Sequence, residues 1–188
     1  DDQYNQVEKN YRGQTDYVKM ISKISEFSYR TEFILKVTED CWKKSNNQQI
    51  LIIGHRKNQL AYIHDAIKHR GFATVGYYIG GMKETELKIS EGKNIVVATY
   101  KMAEEALDIK TLSCLILATP RSDVTQAVGR ILRMKHEQTI VVDIIDQHKT
   151  FKNQSKKRES FYKRNRYTII QCTYQLYPNF QKLEYQSR

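Results

Sequence analysis

Proline is almost missing from this chain, with two in 188 residues, and cysteine is sparse, with three. So few prolines, set among 40% hydrophobic and 28% charged residues, describe a folded soluble domain and exclude a disordered tail. Cys41, Cys114 and Cys172 are odd in number and widely scattered, with no Cys-x-x-Cys. A disulfide framework and a zinc site are therefore not expected, and an intracellular, reducing compartment fits best. His64 and His69 stand five apart, one step off the i, i+4 spacing of a helical metal pair, and no metal ligand set is assigned. No Gly-x-Ser-x-Gly, Cys–His pair or two-carboxylate site stands out. The longest apolar run, Leu112–Ala118, is far too short to span a bilayer, and no signal peptide is visible, so no membrane partner is expected. The chain opens on Asp1-Asp2 without Met, which suggests a piece of something longer.

Basic charge is abundant and unevenly placed within a formal net charge of +10. Residues 149–166 carry Lys149, Lys152, Lys156, Lys157, Arg158, Lys163, Arg164 and Arg166 against Glu159 alone, whereas the first forty residues carry eight acids and six bases. Local basicity of this kind is a footprint for phosphate backbones, although a solvated helix face has the same composition.

The length allows one domain with an appended segment. Residues 1–14 are polar and read as a poorly ordered lead. Thr15 or Asp16 caps a helix with the stripe Tyr17, Met20, Ile21, Ile24 and Phe27. A second helix over about 29–45 sets Phe33, Ile34, Val37 and Cys41 on one side, and Asn46-Asn47 breaks it. Strands and helices then alternate. Strands are expected at Ile50–Ile53, about 73–79, Ile95–Ala98, Leu112–Ala118, Ile140–Ile145 and Tyr167–Thr173. Helices are expected with Leu60, Ile63 and Ile67 ending at Gly71, around Leu87 after Gly80-Gly81, after a Ser122 cap, and over about 151–165 with Phe151, Phe161 and Tyr162 inward. The alternation implies right-handed crossovers and an α/β three-layer lobe, a mostly parallel sheet with helices on both faces. The domain spans 15–173, as helices at 15–47, a core at 50–146 and a basic closing helix and strand at 149–173, with a tail at 174–188.

The stretch Gln126-Ala-Val-Gly-Arg-Ile-Leu-Arg133 places Gln126, Arg130 and Arg133 at i, i+4 and i+7 on one helix face, with Val124, Val128, Ile131 and Leu132 mostly turned away. Two guanidinium forks and an amide suit a polyphosphate; the plainer use of the spacing is a solvated basic face. Gln-x-x-Gly-Arg-x-x-Arg resembles motif VI of the superfamily 2 helicases, nucleic-acid translocases built from two RecA-like lobes. Val96-Val-Ala-Thr-Tyr-Lys-Met-Ala-Glu-Glu-Ala-Leu-Asp108-Ile is similar to their motif V, and Ile50-Leu-Ile-Ile-Gly-His-Arg56 to motif IV. The resemblance covers roughly residues 50–146 and is to the second, C-terminal RecA-like lobe. The segment from Phe151 to Ile169 resembles the end of helicases from large cytoplasmic DNA viruses, poxvirus-type transcript-release helicases among them, and of excision-repair and restriction-type relatives. A viral source would place the protein in the host cytoplasm or the virion.

The resemblance implies roles for particular residues. Thr99 would hold a nucleic-acid phosphate, and so would the turn Gly54-His55-Arg56, where amides at a helix start favour an anion. Gly81 and Lys83, in a glycine turn before a helix, would lie near the bound strand. Asp108 would hold the ribose hydroxyls of a nucleotide. Arg133 would be the arginine finger, Arg130 a second γ-phosphate contact or a structural partner, and Gln126 would orient phosphate or water. The plainer alternatives are that Thr99 caps the next helix, Asp108 caps a turn, and Arg56 is a surface cation. Ala106 stands where the family usually has Gly, which forfeits freedom at positive φ. No Gly-x-x-x-x-Gly-Lys-Ser/Thr and no Asp-Glu-x-His-like segment occurs. The implied cofactor is ATP with Mg2+, the Mg2+ being held by an N-terminal RecA-like lobe that this chain lacks, so this domain alone is expected to be inactive. The implied partners are that lobe and DNA or RNA, gripped without sequence preference and in a salt-dependent way. Two rival readings stand beside this one. One is a nucleic-acid-binding module using the basic 149–166 segment. The other is a Rossmann-type enzyme, which needs a glycine fingerprint where Gly54-His-Arg-Lys-Asn-Gln supplies one glycine.

Overall fold

The structure, a computed structural model, describes residues 2–45, 48–131 and 139–177. Five strands, β1 (Gln49–Gly54), β2 (Val75–Tyr78), β3 (Ile95–Thr99), β4 (Leu112–Leu117) and β5 (Ile140–Asp143), form one sheet in the order β2-β3-β1-β4-β5. Every pairing is parallel, so each connection must cross the sheet through a helix. The central strands read as continuous apolar runs because both of their faces are covered. Leu51, Ile53, Val96, Ala98, Leu115 and Leu117 point into one core. Ile50, Ile52, Ile95, Val97, Cys114 and Ile116 point into the other.

On the second face, α3 (Ser28–Lys44) contributes Ile34 and Leu35, and α4 (Lys57–Arg70) contributes Leu60, Ile63 and Ile67. Gly71 ends α4 in the left-handed region, φ +67°, as the sequence led one to expect. On the first face lie α5 (Glu84–Glu91), α6 (Tyr100–Glu105), α7 (Thr125–Ile131) and α8 (Lys149–Arg164). Gly76 lets α5 lie directly on β2: a Cβ there would come within 2.8 Å of the Ser90 backbone. A third, smaller core joins α2 (Tyr17–Glu26), through Met20, Ile21 and Ile24, to Phe151 of α8. The three-layer α/β architecture is the one expected.

Three local expectations are corrected. Residues 2–14 do not behave as a featureless lead. A short helix, α1 (Asp2–Asn5), sets Tyr4 4.9 Å from the rings of Phe27 and His148, and Lys9 bridges to Thr15 in antiparallel fashion. Polarity misled here, because the anchoring is carried by single aromatic and amide groups instead of an apolar stripe. Tyr167–Thr173 is not a strand. Arg166 takes φ +59°, and Tyr167 turns back onto Phe161 and Tyr162, leaving Ile169 and Ile170 exposed. The β-branched residues had propensity but no surface to pack on. Asp123, not Ser122, caps the start of α7, its carboxylate accepting from the Thr125 amide at 2.9 Å. In the tail, Tyr174 and Tyr177 sit edge-on to Phe33 of α3, each at 5.1 Å.

Candidate functional site

Parallel strands bring all their C-terminal ends to one edge, where open α/β sheets bind ligands. Gly54 pairs with Thr99 there, and the turn Ala118–Arg121 follows β4 beside them. A cleft of about 520 Å³ opens between these segments, lined by Gly54, His55, Thr99, Lys101, Glu104 and Arg121.

One wall of the cleft is fixed in an unusual way. Four consecutive carbonyls each accept a hydrogen bond from the side chain of a different helix. Ala118 accepts from Arg30 Nη1 of α3 at 2.5 Å, and Thr119 from the Tyr100 hydroxyl of α6 at 2.6 Å. Pro120 accepts from the Tyr17 hydroxyl of α2 at 3.1 Å, and Arg121 from Arg158 Nη1 of α8 at 2.7 Å. Arg30 also grips Asp146 through Nε and Nη2 at 2.6 and 2.8 Å, and Arg158 grips Asp143 through Nε and Nη2, both at 2.8 Å. Burial works against the Arg158 charge, but the Asp143 carboxylate more than offsets it. Arg158 is 0% exposed. It therefore leaves the surface charge of 149–166, to which the sequence had assigned it. The signal was present in the spacing: Phe151, Arg158 and Tyr162 fall at i, i+7 and i+11, the inward stripe of α8.

His55 lines the cleft. Its amide donates to Thr119 Oγ1 at 3.0 Å, and Nδ1 lies 2.7 Å from the same oxygen. The Thr119 hydroxyl, already an acceptor, can then donate its proton to Nδ1 of a neutral ring. The residue keeps solvent-facing surface, and its ring packs tilted on that of Tyr100, with centroids 4.6 Å apart. Desolvation there, followed by the charges of Arg121 and Arg56, holds its pKa down to about 4. The folded protein thus binds fewer protons than the unfolded chain between about pH 6.5 and 4, and stability falls as pH drops through that window. An NMR titration of the imidazole is expected to give a midpoint well below 6.5, moving upward when a polyanion occupies the cleft. A midpoint at or above 6.5 in the free protein would refute the neutral-ring assignment.

Thr99 Oγ1 accepts from the Met102 amide at 3.4 Å, so it does cap α6, and its side chain also lines the cleft. Arg56 donates through Nη2 to the Val18 carbonyl at 2.9 Å, which ties it to α2. Lys57 Nζ reaches the Gly80 carbonyl at 3.1 Å, linking the start of α4 to the glycine turn. Gly81 (φ +95°) and Lys83 are exposed at that turn, and the Lys83 amide donates to Glu86 at 2.8 Å to open α5.

A second group lies behind α6. Arg130 donates through Nη2 to the Glu104 carbonyl, and the Glu104 carboxylate takes Arg121 Nη1 at 2.7 Å. Glu104 therefore joins the cleft to the face bearing Gln126 and Arg130, and neither it nor Arg121 was singled out from sequence. The Tyr78 hydroxyl shares a hydrogen bond between Glu91, at 3.0 Å, and the Ala106 carbonyl, at 3.1 Å. Burial and then Glu91 push its pKa up to about 12, with Arg130 and Asp108 acting on it in opposite directions. Gln126 and Asp108 are exposed. Ala106 has φ −118°, an ordinary conformation for an L-residue, so the glycine usual at this position is not needed by the backbone. Arg133 lies outside the described residues. Among the described residues no group of three or more His, Cys, Asp or Glu is placed to hold a metal ion, and no helix is long and apolar enough to cross a membrane.

No protein-family profile matches the chain. In sequence it is 39% identical over 156 residues to "Putative ATP-dependent RNA helicase L396" of Acanthamoeba polyphaga mimivirus, covering 80% of this chain and 30% of that protein. It is 31% identical over 103 residues to "Putative ATP-dependent RNA helicase QP509L" of African swine fever virus, covering 53% of this chain and 20% of that protein. The chain thus spans under a third of the length of these relatives. In fold it matches phage T4 UvsW with a TM-score of 0.66 at 22% identity, over 83% of this chain and 36% of that one. The C-terminal domain of S. cerevisiae Dbp5 matches with a TM-score of 0.58 at 12% identity, over 81% of this chain and 91% of that domain. At such identities the likeness is one of fold. The chain therefore has the RecA-like α/β fold found in helicase domains, and in sequence it is similar to viral proteins that carry the name of putative ATP-dependent RNA helicases.

Proposed function

We propose that this lobe is the second, C-terminal motor lobe of an ATP-dependent helicase or translocase acting on RNA or DNA. The observation that supports this best is the juxtaposition at one sheet edge: the His55–Thr99–Arg121 cleft on one side, Arg130 on the other, and Glu104 contacting both arginines. In this reading the cleft takes nucleic-acid phosphates, with Thr99, Lys101, Arg121 and the Gly54–His55 turn as its contacts, helped by Gly81 and Lys83. Arg56 steadies the turn through α2. Gln126, Arg130 and Arg133 face the nucleotide phosphates, Arg133 as the arginine finger, and Asp108 faces the ribose. ATP with Mg2+, when bound between this lobe and a first lobe, supplies the phosphoryl chemistry; the first lobe holds the Mg2+. The chain's own part is to position, to stabilise charge and to exchange phosphate grips, so the lobe alone is inactive as an ATPase. Since both viral relatives carry the name of RNA helicases, RNA is the first strand to test.

The test is ATP hydrolysis by the intact protein with and without single-stranded RNA or DNA, over a salt series. Stimulation by nucleic acid is expected, weakening steeply as salt rises. An intact protein that hydrolyses no ATP, or hydrolyses it equally with and without either nucleic acid, would end this reading.

A further inference from the structure

Residues 8–16 form a small hairpin that the cleft does not use. The Asp16 amide donates to the Glu8 carbonyl at 2.8 Å, Lys9 bridges to Thr15, and the Asn10 amide donates to the Gln14 carbonyl at 2.8 Å. The turn is Tyr11-Arg12-Gly13, with the Gly13 amide donating to the Asn10 carbonyl at 3.0 Å and Gly13 at φ +73°. Asn10 Oδ1 closes the turn from inside by accepting from the amides of Arg12, at 2.9 Å, and Gln14, at 3.1 Å.

An isolated two-stranded hairpin is marginal in water, so the anchoring of its foot matters. Glu8 pairs with Lys23 at 2.8 Å, and Asp16 caps α2. The Tyr17 hydroxyl then reaches Pro120, next to Arg121, and Arg56, next to His55, reaches Val18. The hairpin is thereby seated on two of the segments that wall the cleft. Three residues per arm carry its tip roughly 10 Å beyond the foot.

The tip presents an aromatic ring to solvent. Tyr11 is 88% exposed, and the Arg12 guanidinium lies 5.1 Å from its ring centroid. Lys9 is exposed on the same hairpin, and residues 9–15 contain no acid. A preformed turn that holds a flat ring and two cations in water, with its foot tied to the segments that wall the cleft, matches an unpaired nucleobase with its flanking phosphates. The geometry points to the Lys9–Thr15 hairpin as a second nucleic-acid contact, with Tyr11 and Arg12 stacking on an unpaired base of the strand that runs through the cleft. This rests on the proposed function above.

The test uses the intact protein without nucleotide and a fluorescein-labelled single-stranded oligouridylate, with oligothymidylate in parallel. Tyr11→Ala is expected to weaken binding roughly tenfold, the effect of losing one stacked base, with an unchanged melting temperature because the ring is outside every core. Tyr11→Phe should bind like wild type. Tyr11→Trp should bind likewise and show emission quenched on adding unlabelled oligonucleotide, relative to the background of the wild-type protein. Wild-type affinity in Tyr11→Ala, or a Tyr11→Trp signal that ignores bound oligonucleotide, would overturn the hairpin contact and leave the helicase reading intact. Failure of the wild-type protein to bind either oligonucleotide would overturn both.

Discussion

Arg133→Ala in the intact protein is expected to lower nucleic-acid-stimulated ATP hydrolysis by about 10³-fold or more, while nucleic-acid affinity stays near wild type. An arginine finger acts on charge that develops during phosphoryl transfer, so its loss falls on the catalytic rate and not on the grip of the strand. Arg133→Lys should recover little, because an ammonium keeps the charge but not the planar fork. Arg130→Ala is expected to differ in kind. Its guanidinium already gives one donor to the Glu104 carbonyl, and Glu104 also holds Arg121. Removing it should therefore lower hydrolysis and also disturb nucleic-acid binding at the cleft, an effect absent from Arg133→Ala. Single-turnover hydrolysis and equilibrium binding, measured on both variants, separate the two roles. Wild-type hydrolysis by Arg133→Ala would make motif VI a bystander, and the basic exterior of α8 would become the main candidate for the protein's activity.

The second large effect concerns stability. Arg158→Ala should destabilise the fold by about 3–5 kcal/mol, a fall in Tm of roughly 6–20 °C, because it leaves the Asp143 carboxylate without its partner in the interior. The Tyr162 hydroxyl, 3.3 Å from Asp143 Oδ2, cannot replace a two-pronged cation. Lys157→Ala, one residue earlier and exposed, should change stability by no more than about 0.5 kcal/mol. Replacing both partners with apolar residues of similar volume, Arg158→Met with Asp143→Leu, should recover most of the loss, because no stranded charge then remains. Denaturant unfolding of the four proteins checks this, and a loss under about 1 kcal/mol for Arg158→Ala would mean that water reaches the pair.

The contrast between Arg158 and Lys157 also marks how far the sequence could be read. Short apolar runs located the five strands of the sheet, and the structure then sorts them into two cores, with Ile50 and Ile52 facing opposite to Leu51 and Ile53. The turn residues of β1 and β3 were legible as a ligand edge because a parallel sheet gives no choice about where its C-terminal ends lie. What stayed hidden was pairing at long range. Arg30 meets Asp146 across 116 positions, and nothing local distinguishes that arginine from a solvated one. Arg121 and Glu104 were likewise invisible, since each acquires meaning only through the other. Charge counting failed for Arg158 where spacing would have succeeded. The opposite error was made at Tyr167–Thr173, where spacing and propensity promised a strand and the fold offered no layer to receive it. At Lys9–Thr15 polarity argued for disorder, although Asn10 and Gly13 are turn-forming residues in their usual places.

The wall after β4 has a mechanical consequence. A surface loop ordinarily bends when it is pulled, and the work is dissipated within it. Here the carbonyls of Ala118, Thr119, Pro120 and Arg121 are fastened to α3, α6, α2 and α8 in turn. A load applied at Arg121 has no slack segment in which to spread. It passes to helices on both sides of the sheet, so a displacement of this edge is expected to move those helices with it rather than be absorbed in the loop.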